Sequence, residues 1–125
     1  MRIAPLAAAA LIAAAPPGPA AAKDSFRTAV RSYEAGMYGS AARYWQRLAE
    51  KGHGPAQYNL GRMIYYGRGG MRRDLVEAYK WFLLASESGV PQGRIAVARL
   101  SDTLSRRQLI EATIRAEDLR RKYTR

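Results

Sequence analysis

The chain has 125 residues and no cysteine, and its 21 lysines and arginines against 10 acidic residues give a formal net charge of +11. Without cysteine it has neither disulfides nor thiolate metal sites, and its single histidine excludes an imidazole cluster. A chain of this size suits one domain with an adequate but modest core, held by packing alone.

The N-terminal segment reads as an address rather than as part of the fold. Met1-Arg2-Ile3 is a short basic start, Leu6 to Ala15 is an unbroken apolar run, Pro16-Pro17-Gly18-Pro19 breaks any helix, and Ala20-Ala21-Ala22 are small. That order is the pattern of a secretory signal peptide. A membrane anchor is the competing reading, but the apolar run is about half of the roughly 20 residues needed to span a bilayer. The expectation is a signal peptide over 1–22, cleavage near Ala22, and an exported domain over 23–125, periplasmic or secreted, with no further membrane-crossing segment. In the cytosol so basic a chain would point first to nucleic acid. Outside it, the abundant polyanions are acidic lipid headgroups, lipopolysaccharide and acidic polysaccharides, and no nucleic-acid partner is expected. Net charge of this sign favours salt-sensitive association with anionic surfaces.

Punctuation then divides the chain into six helices. Asp24 or Ser25 can cap a first helix carrying Phe26, Ala29, Val30 and Tyr33 on one stripe, which Gly36 ends. Ser40 can cap a second, with Ala42, Trp45, Leu48 and Ala49 inward and Gly52 at its end. Pro55 sits in the first turn of a third, where its missing N–H costs nothing, and Ala56, Leu60, Met63 and Ile64 form the buried stripe. Gly67-Arg68-Gly69-Gly70 cannot stay helical cheaply, at about 1 kcal/mol per glycine, and makes a loop. Asp74 caps the fourth helix, with Ala78, Trp81, Phe82 and Ala85 inward and Gly89 closing it. Pro91 opens a fifth carrying Ile95, Val97 and Leu100. Ser105 and Gln108 have the spacing of a capping box and open a sixth helix, in which Leu109, Ala112, Ala116, Leu119 and Tyr123 share a face. Glu111 with Arg115, Glu117 with Arg121 and Asp118 with Lys122 are favourable i,i+4 pairs on its exposed side.

Residues 42 to 93 also nearly repeat themselves at a spacing of 36: Ala42, Trp45, Leu48, Ala49 and Pro55 recur as Ala78, Trp81, Leu84, Ala85 and Pro91. A period of that size marks a helical repeat array, and such arrays mostly present surfaces to partners. With about three helix pairs the array is near the minimum length for stability.

Ala56-Gln57-Tyr58-Asn59-Leu60-Gly61, with Gly67, Gly69, Asp74, Ala78, Trp81, Phe82, Ala85, Glu87 and Gly89, resembles a Sel-one-like repeat, a relative of the tetratricopeptide repeat. Residues 25 to 52 resemble a shorter preceding unit and residues 91 to 123 the terminal helix pair of short exported bacterial members. The resemblance implies an all-α, right-handed α-α superhelix of about three antiparallel helix pairs, working as a non-catalytic adaptor or scaffold. Ile64 stands where the family usually has tyrosine and Ser86 where it usually has alanine. Gly70-Met71 adds one residue to the inter-helix loop, with Met71 in place of the usual valine, so that loop's shape is expected to differ.

No catalytic constellation stands out, and neither a cofactor nor a metal is implied. His53 lies between two glycines with no orienting partner in the sequence and reads as a solvated loop residue; a base or a ligand would need such a partner. Ser40 and Ser105 read as caps, and the glycine loop lacks the Gly-Lys-Ser/Thr run of a nucleotide site. Trp45 and Trp81 read as core rather than as sugar-stacking platforms. What remains is a surface. Tyr58, Arg62 and Tyr65 lie opposite the buried stripe of the third helix, on the side that lines the concave face of a helix-pair array, with Arg27 and Arg31 on the first helix and Arg94 and Arg99 on the fifth as flanking cations. Tyrosine and arginine are residue types that anchor interfaces. The expected partner is an envelope protein or peptide, with an anionic envelope glycan or lipid as the alternative. Arg120-Arg121-Lys122, at a helix C-terminus where cations are favoured anyway, reads as solvated capping charge.

Overall fold

The computed structural model describes residues 18–124. They form α1 (Pro19–Glu34), α2 (Tyr38–Glu50), α3 (Gly54–Tyr66), α4 (Leu75–Glu87), α5 (Pro91–Ser101) and α6 (Arg106–Tyr123), with no strand among the described residues. Consecutive helices pack from α1 to α5, and α6 lies along α4. This is the short all-α solenoid of about three helix pairs that the sequence predicts.

The first four helices end alike. At Gly36, Gly52, Gly67 and Gly89 the glycine N–H bonds the carbonyl three residues back, and the following N–H bonds the carbonyl five back. This double closure needs a left-handed residue, which is why glycine stands there; the four φ values run from 66° to 91°. The repeat register, however, is 37 residues rather than 36. α2 and α4 begin at Tyr38 and Leu75, end at Glu50 and Glu87, and are followed by Gly52 and Gly89. Tyr44-Trp45 therefore corresponds to Trp81-Phe82. A buried helical stripe is wider than one residue, so a register slipped by one still pairs apolar with apolar.

Helix starts differ more from expectation. Most of the expected signal segment, residues 1–17, lies outside the described residues, and Pro19 to Ala22 form the first turn of α1. Asp24 and Ser25 therefore sit inside the helix and cap nothing; Gly18 holds the cap position without a side-chain bond. Ser40 also lies within α2, whose cap position is Met37. The Met37 N–H closes α1 on Ser32 O at 2.8 Å, and the chain re-enters a helix at the next residue. Asp74 caps α4 as expected, its Oδ1 accepting from Val76 and Glu77 N–H at 3.0 Å each. Ser105 and Gln108 form the reciprocal capping box.

The core is built on α4. Trp45, Trp81 and Phe82 are each 4 % exposed, and Leu60, Met63 and Leu84 are fully buried; each large apolar side chain buried this way contributes about 1.5–3 kcal/mol. Small residues set the helix spacing. A Cβ on Gly61 would stand 2.8 Å from the Phe82 ring, and one on Gly93 would stand 2.8 Å from Ser86 N and 3.0 Å from Phe82 O. Gly93 thus lets α5 press onto the backbone of α4, a role the sequence reading misses. Gln57 is fully buried, and its Nε2 donates to Ala49 O at 3.2 Å, tying α3 to the end of α2. The loop with the extra residue folds back on the core, where Met71 is half-buried. Gly69, at φ 69°, would place a Cβ 2.7 Å from Met63 Cε and 2.8 Å from Tyr38 O.

Leu109, Ala112, Ala116, Leu119 and Tyr123 of α6 face the core as predicted. Arg115 bonds Glu77 of α4 at 2.9 Å as well as Glu111, and Arg121 bonds Glu117 at 2.7 Å. No ion pair joins Asp118 and Lys122. Arg120 is not solvated capping charge: its Nε and Nη2 meet both Glu87 oxygens at 2.9 and 2.6 Å, locking α6 to α4.

Candidate functional site

α1, α3 and α5 alternate along the chain with α2, α4 and α6, and two cavities lie between them. The larger, about 380 Å³, runs between α3 and α5 and is lined by Tyr58, Arg62, Tyr65 and Tyr66 on one wall and by Gln92, Ile95, Arg99 and Thr103 on the other. Phe82, Ala96 and Leu100 supply the apolar floor. The second, about 260 Å³, lies between α1 and α3, where Val30, Trp45 and Met63 are its apolar residues and Tyr33, Glu34, Asn59 and Arg68 its polar ones. Arg62 and Tyr66 belong to both.

Helical spacing puts these side chains in a row. Tyr58, Arg62, Tyr65 and Tyr66 occupy the face of α3 opposite Leu60, Met63 and Ile64. Arg62 is exposed, with its guanidinium carbon 5.9 Å from the Tyr58 ring centroid, and the Tyr58 ring rests against Phe82 at 5.7 Å. Both tyrosines are half-buried, so each packs and presents a surface. Tyr65 is held from the loop side, where Arg73 Nε donates to its carbonyl at 3.0 Å and the Arg73 guanidinium lies 5.7 Å from its ring. Arg68 bonds the Tyr33 hydroxyl and stacks 4.9 Å from the Tyr66 ring, bridging α1 to the end of α3.

Of the seven residues expected at a partner surface, the structure brings Tyr58, Arg62, Tyr65 and Arg99 into one groove. Arg27, Arg31 and Arg94 are exposed but line neither cavity. Ile95, expected inward, is 54 % exposed and forms part of the groove wall. On α5 it is Gly93 and Leu100 that face the core, and Ile95 falls off that stripe. Tyr66, Gln92 and Thr103 escape sequence reasoning because no periodicity distinguishes a groove wall from any other exposed face. Phe82 is read there only as core, and it is also the groove floor.

His53 is not a solvated loop residue. Its Nδ1 accepts from Ala56 N–H at 3.1 Å, capping α3, and its ring packs 5.2 Å from Phe26. Burial lowers its pKa below the usual 6.5, which favours the neutral ring that this bond requires. Trp45 Nε1 is buried without a hydrogen-bond partner. Among the described residues no group of three or more histidine, cysteine, aspartate or glutamate side chains is placed to hold a metal ion, and no helix is long and apolar enough to cross a membrane.

Comparison with known proteins follows the same boundaries. Residues 38–53 and 54–90 match the Sel1 repeat family, so the two units divide at the start of α3. Over 44 residues the chain is 43 % identical to HRD3A of Arabidopsis thaliana, an ERAD-associated E3 ubiquitin-protein ligase component, a stretch covering 35 % of this chain and 6 % of that protein. Among solved structures it is similar to c5321, a protective antigen of uropathogenic Escherichia coli strains that displays an SLR fold. The TM-score is 0.72 with 28 % identity, over 82 % of this chain and 23 % of the other. The chain spans only a small part of either protein. Proteins of this repeat type are typically non-catalytic scaffolds that mediate protein–protein interaction. The matched units, the six-helix architecture and the shared fold make the chain a Sel1-like repeat protein.

Proposed function

We propose that this protein is a non-catalytic adaptor or scaffold of the bacterial cell envelope, exported with cleavage near Ala22, that holds a protein or peptide against its concave face. The observation that carries this reading is the α3–α5 groove, an open cleft of about 380 Å³ with an apolar floor and walls rich in tyrosine and arginine. Interface anchors are drawn from these residue types, since tyrosine offers large contact area with only two torsions to freeze and arginine a planar fork of donors. The relatives support it: one is a component of an E3 ubiquitin-protein ligase, and the other is a bacterial antigen with the same repeat fold. The basic, apolar and small-residue order of residues 1–22 supports export.

The test is affinity capture from an envelope extract, at low and high salt, beside a Tyr58→Ala, Arg62→Ala, Tyr65→Ala variant. A defined protein retained at high salt by the parent and lost by the variant is the expected outcome. A second reading, attachment to anionic glycan or lipid through charge, is favoured by the small cavity that Ser40, Arg43, Tyr44 and Arg47 line on α2. Capture of glycan or lipid alone, released by salt and indifferent to the groove variant, would replace the adaptor reading with that one. N-terminal sequencing of the periplasmic or secreted product tests the cleavage position.

A further inference from the structure

Resting on the groove reading, we infer that the α3–α5 groove selects a short, extended, acidic peptide in which carboxylates alternate with apolar side chains. The charge of the two walls is one-sided. α3 and α5 carry Arg62, Arg94 and Arg99 and not one aspartate or glutamate. α4 and α6, by contrast, carry Glu77, Glu87, Glu111, Glu117 and Asp118. Every ion pair among the described residues involves carboxylates of α4 or α6, and neither Arg62 nor Arg99 has one. Two guanidiniums on opposing walls, with no carboxylate in the lining, reject a basic occupant and attract an acidic one.

Charge alone does not describe the occupant. Between the arginines lie Phe82, Ala96 and Leu100, and the exposed Ile95 projects beside them. Ile95 on the wall and the apolar floor between the two arginines favour an occupant whose carboxylates alternate with apolar side chains. Gln92, Thr103 and the tyrosine hydroxyls add donors and acceptors to the lining. Such groups match the repeating amide of a peptide better than the tail of an anionic lipid. The groove also fixes the length. From Tyr58 to Tyr66 is about 12 Å along α3 and from Gln92 to Leu100 about 12 Å along α5, at about 1.5 Å per residue. At about 3.3 Å per extended residue, that accommodates about four or five residues of the partner.

The experiment measures fluorescence anisotropy of labelled octapeptides in which leucine and tyrosine alternate with glutamate, with serine, or with lysine. A fourth peptide of the acidic composition has all its glutamates at one end. The variant Arg62→Glu with Arg99→Glu is compared with Arg43→Glu with Arg47→Glu, which changes net charge equally but lies on α2. The alternating acidic peptide is expected to bind the parent at least about tenfold more tightly than the other three. The groove variant should lose that preference and turn toward the lysine peptide, while the α2 variant keeps it. Circular dichroism melts confirm that both variants fold. Equal binding of the acidic and serine peptides, still abolished by Tyr58→Ala with Tyr65→Ala, would overturn the charge inference and leave the groove reading standing. Binding lost in the α2 variant and kept in the groove variant would overturn both. Displacement of the acidic peptide by lysophosphatidylglycerol at a lower concentration than by unlabelled peptide would overturn the inference in favour of an anionic lipid.

Discussion

On the α4–α6 side Arg115 reaches Glu77 and Glu111 while Arg120 grips both oxygens of Glu87; on the α3–α5 side Arg62 and Arg99 look out over an apolar floor, without an ion pair and with no carboxylate in the lining of that groove. The same side chain thus serves two ends. Where acidic residues were placed on the neighbouring helix, arginine fastens a helix with a thin apolar seam, since the fully buried residues of α6 are the alanines Ala112 and Ala116. Where they were withheld, arginine remains available to something outside the chain. A net charge of +11 cannot distinguish these uses; its distribution over helices can.

The largest expected effect comes from a residue shared by both sides. Phe82→Ala removes the ring that fills the core beside Gly61 and floors the groove, and should cost about 3–5 kcal/mol in urea unfolding. Gly93→Ala is expected to cost about 1–3 kcal/mol, because the added methyl meets α4 backbone that cannot withdraw. Asp74→Ala removes the acceptor of two N–H groups and should lower stability by about 1 kcal/mol, read from the same unfolding curves.

Acid should sharpen the contrast at a third place. His53 caps α3 only while neutral, and its folded pKa lies below 6.5. The folded state therefore binds fewer protons than the unfolded one, so stability is complete above pH 6.5 and declines as pH falls below it. A Tm series from pH 7.5 to 5.0 should show this decline, and His53→Asn, which caps without titrating there, should flatten the histidine contribution. The smallest effect separates the two sets of arginines. Arg120→Gln should cost at most about 1 kcal/mol and less in high salt, with peptide binding unchanged. Arg62→Gln with Arg99→Gln should leave the melt where it is and weaken acidic-peptide binding. If both variants moved both readouts together, the division between fastening and binding arginines would fail.

Much of this was legible beforehand. Trp45, Trp81, Leu60 and Ala78 announce their burial by helical spacing, and Asp74 and Ser105 announce caps by chemistry that acts within a few residues. The register slipped by one because adjacent positions such as Trp81 and Phe82 are both buried, so apolar matching tolerates an error that glycine closures at Gly52 and Gly89 do not. Tyr58, Arg62 and Tyr65 were readable as a face of one helix. The opposite wall was not, because Gln92, Ile95 and Thr103 join them only through the packing of α5 on α4, which Gly93 permits but no periodicity announces. His53 and Gly93 were missed for a related reason: each matters through an atom on another turn or another helix.

Arg62 and Tyr66 wall both cavities. A guanidinium drawn toward one cavity would withdraw from the other, so an occupant between α3 and α5 would reshape the space between α1 and α3. Ligands that seated in both cavities and each moved Arg62 would be thermodynamically linked, each changing the affinity of the other by the same factor.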